Sequence, residues 1–299
     1  MNVYIKQQEA GRAIMAFVTK LCICLKICAR ILRLWLDRED PEHRNFLLLR
    51  NKLILRHEIG SLCGPSHQKA SVLGYCVYFQ NFDELIRLID EIFGKKIYSF
   101  QSSKKSPLII DCGANIGMSI LAFKKSCPEA RILAFEPDPN TCAILRKNIA
   151  GNALPDVEVV EAAVADARGD IRFYKNVEGK HSLLSSTSPA NIPGAKEIRV
   201  RAERLADYIT GEVDLLKMDV EGSEMKILED LAAQKKLGWI REILLEYHHH
   251  LDPRKDELAS FFRLLEADGF GYQVAASRLA PPAPGTFQDI LIRAYRNSN

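Results

Sequence analysis

Residues 108–139, LIIDCGANIGMSILAFKKSCPEARILAFEPDP, commit the chain to a strand, a glycine turn, a helix and a second strand in immediate succession. The apolar run Leu108, Ile109, Ile110 ends on Asp111. The chain then turns at Gly113, and after Gly117 apolar residues recur at helical spacing at Ile120, Leu121 and Phe123. A second apolar run, 132–135, closes on Glu136. A carboxylate about 20 residues past a glycine turn stands where nucleotide-binding βαβ units hold the hydroxyls of a ribose.

Each residue type in the turn has a physical reason. Gly113 and Gly117 lack a Cβ, so the backbone can adopt positive φ and lie directly against a ligand. The helix that follows Ile116 points unpaired N–H groups the same way. Asn115 both donates and accepts, and Glu136 can take two ribose hydroxyls in one bidentate contact. The middle glycine of a G-x-G-x-x-G dinucleotide fingerprint is absent from Gly113-Ala-Asn-Ile-Gly117, and Asp111 repels pyrophosphate. An acid there favours a cation. S-adenosylmethionine fits, with a ribose for Glu136 and positive charge on sulfur and nitrogen.

With 299 residues, 47% hydrophobic and 26% charged, the chain suits one large or two modest globular domains rather than a disordered or fibrous chain. The net charge of +3 is unevenly spread: residues 1–105 hold 17 Lys+Arg against 10 Asp+Glu, the remainder 24 against 28. Eight cysteines without a C-x-x-C, and no apolar core with a small-residue cleavage site at the start, lead to the expectation of a reducing, cytoplasmic location.

Residues 13–36 form the most apolar long stretch, interrupted by Lys20, Lys26, Arg30 and Arg33, too many charges for a clean span. On a helix, Arg12, Lys26, Arg30 and Arg33 share one stripe and leave a broad apolar face. Packing on the rest of the chain is the commoner use of such a face. Peripheral contact with an anionic membrane is the alternative.

Further along, the spacing predicts a helix over 45–57, one or two short strands over 72–79, and a helix over 83–93 capped by Asn81. Asn140 is the expected cap of a helix over 143–149. Strands are predicted at 157–160, 171–174, 215–218, 239–245, 271–275 and 289–294, with a helix over 256–267. Residues 175–196 read as a long polar loop of the kind that forms lids. Alternating strands and helices predict an α/β fold, a doubly wound, mostly parallel sheet. Residues 1–71 are expected to be a helical, basic extension and residues 72–299 the catalytic domain with its lead-in.

Four motifs in order, IIDCGANIGMS, FEPDP, LKMDVEGSE and LLEYH, resemble the FkbM-type branch of class I S-adenosylmethionine-dependent methyltransferases over about residues 72–294. The resemblance implies a seven-stranded Rossmann-like sheet with its last strand antiparallel, and methyl transfer to a hydroxyl of a small molecule, sugar or glycan. It places the cofactor at Asp111, Gly113, Asn115, Gly117 and Glu136. Many class I enzymes carry an acid after the third strand for the adenine amino group. Ala162-Ala163 stands there instead, leaving only main-chain contacts, so Ala163 is the expected neighbour.

Strands four and five should end beside the cofactor, which puts Asp219, Glu221 and His248 where an acceptor enters. His248 is the expected base, because an ordinary pKa of ~6.5 leaves it mostly neutral at pH 7. Asp219 or Glu221 would orient it, hold the acceptor, or carry a divalent metal with water; no metal ligand is assigned. His249 and His250 read as solvent-facing, and His181 and Ser182 as weaker candidates. Two other functions stand as alternatives: a nucleic-acid methyltransferase, disfavoured because Lys217-Met-Asp-Val-Glu-Gly222 is unlike the Asn/Asp-Pro-Pro-aromatic turn of amino methyltransferases, and a non-catalytic nucleoside-binding module.

Overall fold

The computed structural model describes residues 2–36, 40–63, 68–176, 185–186, 195–249, 257–276 and 288–296. They form two compact units, Met1–Gly94 and Lys95–Asn299. Residues 72–94 thus group with the helices before them, whereas the sequence expectation drew its boundary at 71/72.

The first unit holds α1 (Asn2–Leu36), α2 (Pro41–Cys63), a hairpin of β1 (Lys69–Val72) and β2 (Tyr75–Tyr78), and α3 (Phe82–Leu88), which runs on as a π turn to Gly94. The hairpin turns through Leu73 and Gly74 at φ +50° and +92°, the pair of positive values that a two-residue turn matched to strand twist requires. Asn81 caps α3, its side chain accepting from the N–H groups of Asp83 at 2.8 Å and Glu84 at 3.2 Å. α1 lies against α2 and buries Cys24 and Ile27.

The second unit contains β3 (Leu108–Cys112), α4 (Met118–Ser126), β4 (Arg131–Phe135), α5 (Pro139–Gly151), β5 (Val157–Val160), β6 (Ala163–Ala165), β7 (Gly169–Asn176), β8 (Ser185–Ser186), β9 (Ala195–Arg204), β10 (Val213–Met218), α6 (Glu224–Ala233), β11 (Ile240–His249), α7 (Leu258–Ala267), β12 (Phe270–Ala276) and β13 (Gln288–Arg296). Seven strands pair in the order β12-β13-β11-β10-β3-β4-β5, with β13 antiparallel to both its neighbours. The sheet is the expected one. The chain starts at its centre in β3, steps outward to β4 and β5, then returns beside β3 as β10. The order therefore reverses between β3 and β10, and a crevice opens beyond their carboxyl ends.

Burial follows from that topology. Every residue of β10 is buried, as a central parallel strand with both faces covered requires. Ile227, Leu228 and Leu231 of α6 and Phe261 and Leu265 of α7 belong to the same apolar core as Ile110, Leu216 and Leu245.

Two local readings are corrected, and one segment left without an expectation is found to be strand. The cap of α5 is Asp138, whose side chain accepts from Asn140 N–H, with Pro139 in the first turn; Asn140 lies inside the helix. The segment after Lys196 is strand: β9 pairs with β7 and β6 in a separate four-stranded sheet, burying Val200 and Ala202. β11 runs on to His249, so His248 lies within the strand rather than beyond it. His181, Ser182, His250 and the proline-rich loop at 281–285 lie outside the described residues.

Candidate active site

The turn after β3 is locked by its own backbone. The N–H groups of Gly113 and Ala114 both donate to Phe135 O, at 3.0 and 2.9 Å, and Asn148 of α5 donates through Nδ2 to Ile116 O at 2.7 Å. Gly113 has φ +84°, and a Cβ there would sit 2.0 Å from the carbonyl oxygen of Asp219, so only glycine lets the ends of β3 and β10 approach. Asn115 also has positive φ, +52°, and its side-chain oxygen accepts from Ile116 N–H at 2.6 Å.

Glu136 is buried at the end of β4, and each of its oxygens accepts one backbone N–H: Oε2 from Asn115 at 3.0 Å and Oε1 from Asp138 at 2.9 Å. Each oxygen keeps a second lone pair. Burial pushes its pKa up to about 7, against the pull of the two N–H donors. Gly113, Asn115 and Glu136 line one cavity together with the apolar Ala163, Ile171 and Phe173, and with Asp219 and Glu221. A fixed carboxylate with spare acceptor capacity, a wall without Cβ and apolar side chains fit the ribose and adenine of S-adenosylmethionine.

Two expected cofactor residues are not on that wall. Gly117 (φ +89°) faces α5, where a Cβ would come within 2.7 Å of Leu145 Cδ1, so its glycine serves helix packing. Asp111 is wholly buried, taking a hydrogen bond from Ser119 Oγ at 2.5 Å and facing Lys217 Nζ at 3.2 Å. Its charge is answered inside the protein, which removes the reason to assign it to a cationic ligand.

Lys217 is the centre of this buried network, which the sequence reading passed over. Its Nζ also donates to Gly113 O at 2.7 Å and lies over the Tyr98 ring at 5.1 Å. Tyr98 in turn donates to Glu246. Burial opposes the lysine's charge, but Asp111, Asp219 and Glu246 raise its pKa above the ordinary value. Removing one partner of a buried pair strands the other, so Lys217→Met is expected to cost roughly 3 to 5 kcal/mol of stability. Thermal unfolding checks this; Lys217→Met with Asp111→Asn should recover part of the loss, and a single variant as stable as wild type would refute the network.

The three expected catalytic residues do converge. Asp219 and Glu221 follow β10, with Glu221 at φ +57° and Gly222 at +107°, an unusual conformation for a glutamate that turns its side chain back. His248 of β11 meets them through Nε2, 3.4 Å from Glu221 Oε2 and 3.7 Å from Asp219 Oδ1, with Asp289 of β13 at 3.9 Å. Its other nitrogen, Nδ1, is 2.7 Å from Oε1 of the buried Glu224, which also accepts Gly222 N–H at 3.0 Å.

These surroundings correct the expectation of a neutral imidazole. Burial lowers the pKa of His248, but Glu221, Glu224 and Asp219 outweigh it and raise the pKa well above 6.5, which favours the imidazolium over the neutral ring. Burial likewise raises Glu221, to about 8, with the imidazolium holding it down. Glu221 and Asp219 line the cavity; His248 does not, and reaches it through them. One donor atom from each of Asp219, Glu221 and His248 lies within 4.8 Å of the others, a spacing a divalent cation would accept. The imidazolium and Lys217, 3.9 Å from Asp219 Oδ2, already supply positive charge there.

Glu224, Lys217, Tyr98 and Glu246 were not singled out from sequence. A lysine inside the apolar run LLKM was a visible signal. Tyr98 and Glu246, 148 residues apart, gave none.

Residues 111–274 match the family model described as "Methyltransferase FkbM domain". Among characterised sequences, "Methyltransferase 1" of Beauveria bassiana (strain ARSEF 2860) is 32% identical over 213 residues, covering 64% of this chain and 83% of that protein. "31-O-demethyl-FK506 methyltransferase FkbM" of Streptomyces tacrolimicus is 28% identical over 239 residues, 69% of this chain and 88% of that protein. "2-O-methyltransferase NoeI" of Sinorhizobium fredii (strain NBRC 101917 / NGR234) is 31% identical over 160 residues, 48% and 64% of the two chains.

Proposed function

Because this chain belongs to the FkbM methyltransferase family and is an S-adenosylmethionine-dependent methyltransferase, we propose that it methylates a hydroxyl group of a small molecule, sugar or glycan, with Glu221 receiving the hydroxyl proton. The observation that carries this reading is a single cavity lined both by Glu136, suited to a ribose, and by Glu221 and Asp219. The names of two relatives put the methyl group on oxygen in those proteins, which supports the same choice here.

S-adenosylmethionine, when bound, supplies a methyl group on a positively charged sulfur. The protein must hold it in line with the acceptor oxygen and remove one proton from a weakly acidic alcohol. Glu136 fixes the ribose and the Gly113 turn lets the backbone close on it. Glu221 on the cavity wall accepts the hydroxyl proton; its burial makes it a stronger base than a solvated carboxylate. His248 cannot take a proton it already carries. It is a positioning residue: its imidazolium lowers the pH at which Glu221 ionises, and Glu224 on Nδ1 fixes the ring. Asp219 lines the same cavity beside Glu221.

The pH dependence follows with a definite sign. Turnover rises as Glu221 loses its proton, with the midpoint of the rise near pH 8. The charges facing the His248–Glu221 pair come from Asp219, Glu224, Glu246 and Asp289. His248→Ala removes a positive partner of Glu221, so the rising limb is expected to move to higher pH while affinity for S-adenosylmethionine stays within about threefold. The pH profile of methyl incorporation checks this, run with and without a chelator. A limb that stays in place, or activity that depends on a restored divalent ion, overturns the assignment.

A further inference from the structure

α1 has one face packed within its own unit and another that no described residue covers. Cys24 and Ile27 are buried, and Lys20, Ile31 and Leu34 half-buried. At 100° per residue these five fall within about 80° of arc. On the adjoining flank, about 100° around the helix, Phe17, Leu21, Leu25 and Leu32 fall within a similar arc and are 54%, 44%, 62% and 63% exposed, and the exposed Val18 and Met15 carry the apolar surface further round. A row of four large apolar side chains in water is unusual for a surface helix, whose outward face is ordinarily polar.

Charge decides what covers it. The exposed Arg33, Lys26, Arg30 and Arg12 begin where this wider apolar surface ends at Met15 and lie between it and the buried face, and the sequence from 10 to 36 contains no Asp or Glu. Among the described residues, no helix is long and apolar enough to cross a membrane. An apolar row with a purely cationic border matches the level in a bilayer where acyl chains meet phosphate groups, the cations reaching outward while their stems stay on the apolar side. A second copy of the chain would bring the same cations to the contact, with no acid on this helix face to answer them.

We infer that α1 is a membrane-surface helix, seating Phe17, Leu21, Leu25 and Leu32 at the acyl boundary of an anionic bilayer with Lys26, Arg30 and Arg33 on the lipid phosphates. The inference is independent of the proposed acceptor chemistry.

The test is flotation of the full chain with vesicles of phosphatidylcholine alone and with about one third phosphatidylserine, at low and high salt. The chain is expected to float with the anionic vesicles, less so at high salt. Reversing the edge (Lys26→Glu, Arg30→Glu, Arg33→Glu) or breaking the row (Leu21→Glu, Leu25→Glu) is expected to lower partitioning at least about a hundredfold. Both variants should bind S-adenosylmethionine as wild type does, which shows that they fold. Flotation unaffected by the variants, or absent from wild type, overturns the inference. So does concentration-dependent dimerisation in light scattering that Leu25→Glu abolishes, since the face would then belong to a second copy.

Discussion

Glu221→Gln is expected to lower turnover by about two to four orders of magnitude, the usual contribution of a positioned general base, with little change in the affinity for S-adenosylmethionine. Glutamine keeps the shape of the side chain and loses the ability to take a proton. Raising the pH should not rescue it. His248→Ala differs, because its Glu221 still ionises, only at higher pH, and activity should return on the alkaline side. Single-turnover methyl incorporation measured across the pH range separates the two variants. Equal loss for both at every pH would mean that Glu221 and His248 serve structure alone.

The second large effect concerns the cofactor. Glu136→Ala removes a charged acceptor whose two oxygens are already aimed by Asn115 and Asp138. Hydrogen bonds to a charged group are worth roughly 1.5 to 3 kcal/mol, so losing the ribose contact is expected to weaken S-adenosylmethionine about a hundredfold or more. Wild type should show its own pH signature. Burial raises Glu136 to about 7, and the ionised form is the better acceptor for two hydroxyl groups. Affinity should therefore improve as pH rises from 6 to 8, by about tenfold overall. Calorimetric titration at several pH values checks both points. Unchanged binding by the variant would place the ribose elsewhere.

Most of the sheet was legible because it is punctuated locally. Apolar runs ending on Asp111, Glu136 and Asp219, each followed by a turn and a helical pattern, mark β3, β4 and β10 without any knowledge of their partners. The resemblance supplied the antiparallel β13. The omission of β9 came from a polar approach: residues 175–196 offered no periodicity, and the alternation of Ile198, Val200 and Ala202 was not separated from them. At α5, Asp138 and Asn140 are both good caps, and Pro139 between them was the deciding signal, since proline is accommodated in the first turn.

The site was legible as a set of residues and less so as a set of charges. Gly113, Asn115, Glu136 and Ala163 meet at one cavity because consecutive strand ends meet there. Asp111 was read as an open carboxylate because Lys217, 106 positions later, neutralises it only once β3 and β10 pair side by side. His248 was read as neutral for the same reason: Glu221 and Glu224 come from the turn into α6 and Asp289 from β13, both distant in sequence. Protonation states depend on such long-range neighbours, and sequence spacing carries little of that information.

The central claim is that the carboxylate end of this cavity prepares an oxygen nucleophile. The most direct measurement gives the purified enzyme carbon-13-methyl S-adenosylmethionine and a small-molecule extract of the source organism, and locates the label in the product by NMR. A methoxyl carbon, formed by wild type and lost in Glu221→Gln, is the predicted result. A methyl group on nitrogen or carbon, or a methoxyl product formed equally well without Glu221, would contradict the account.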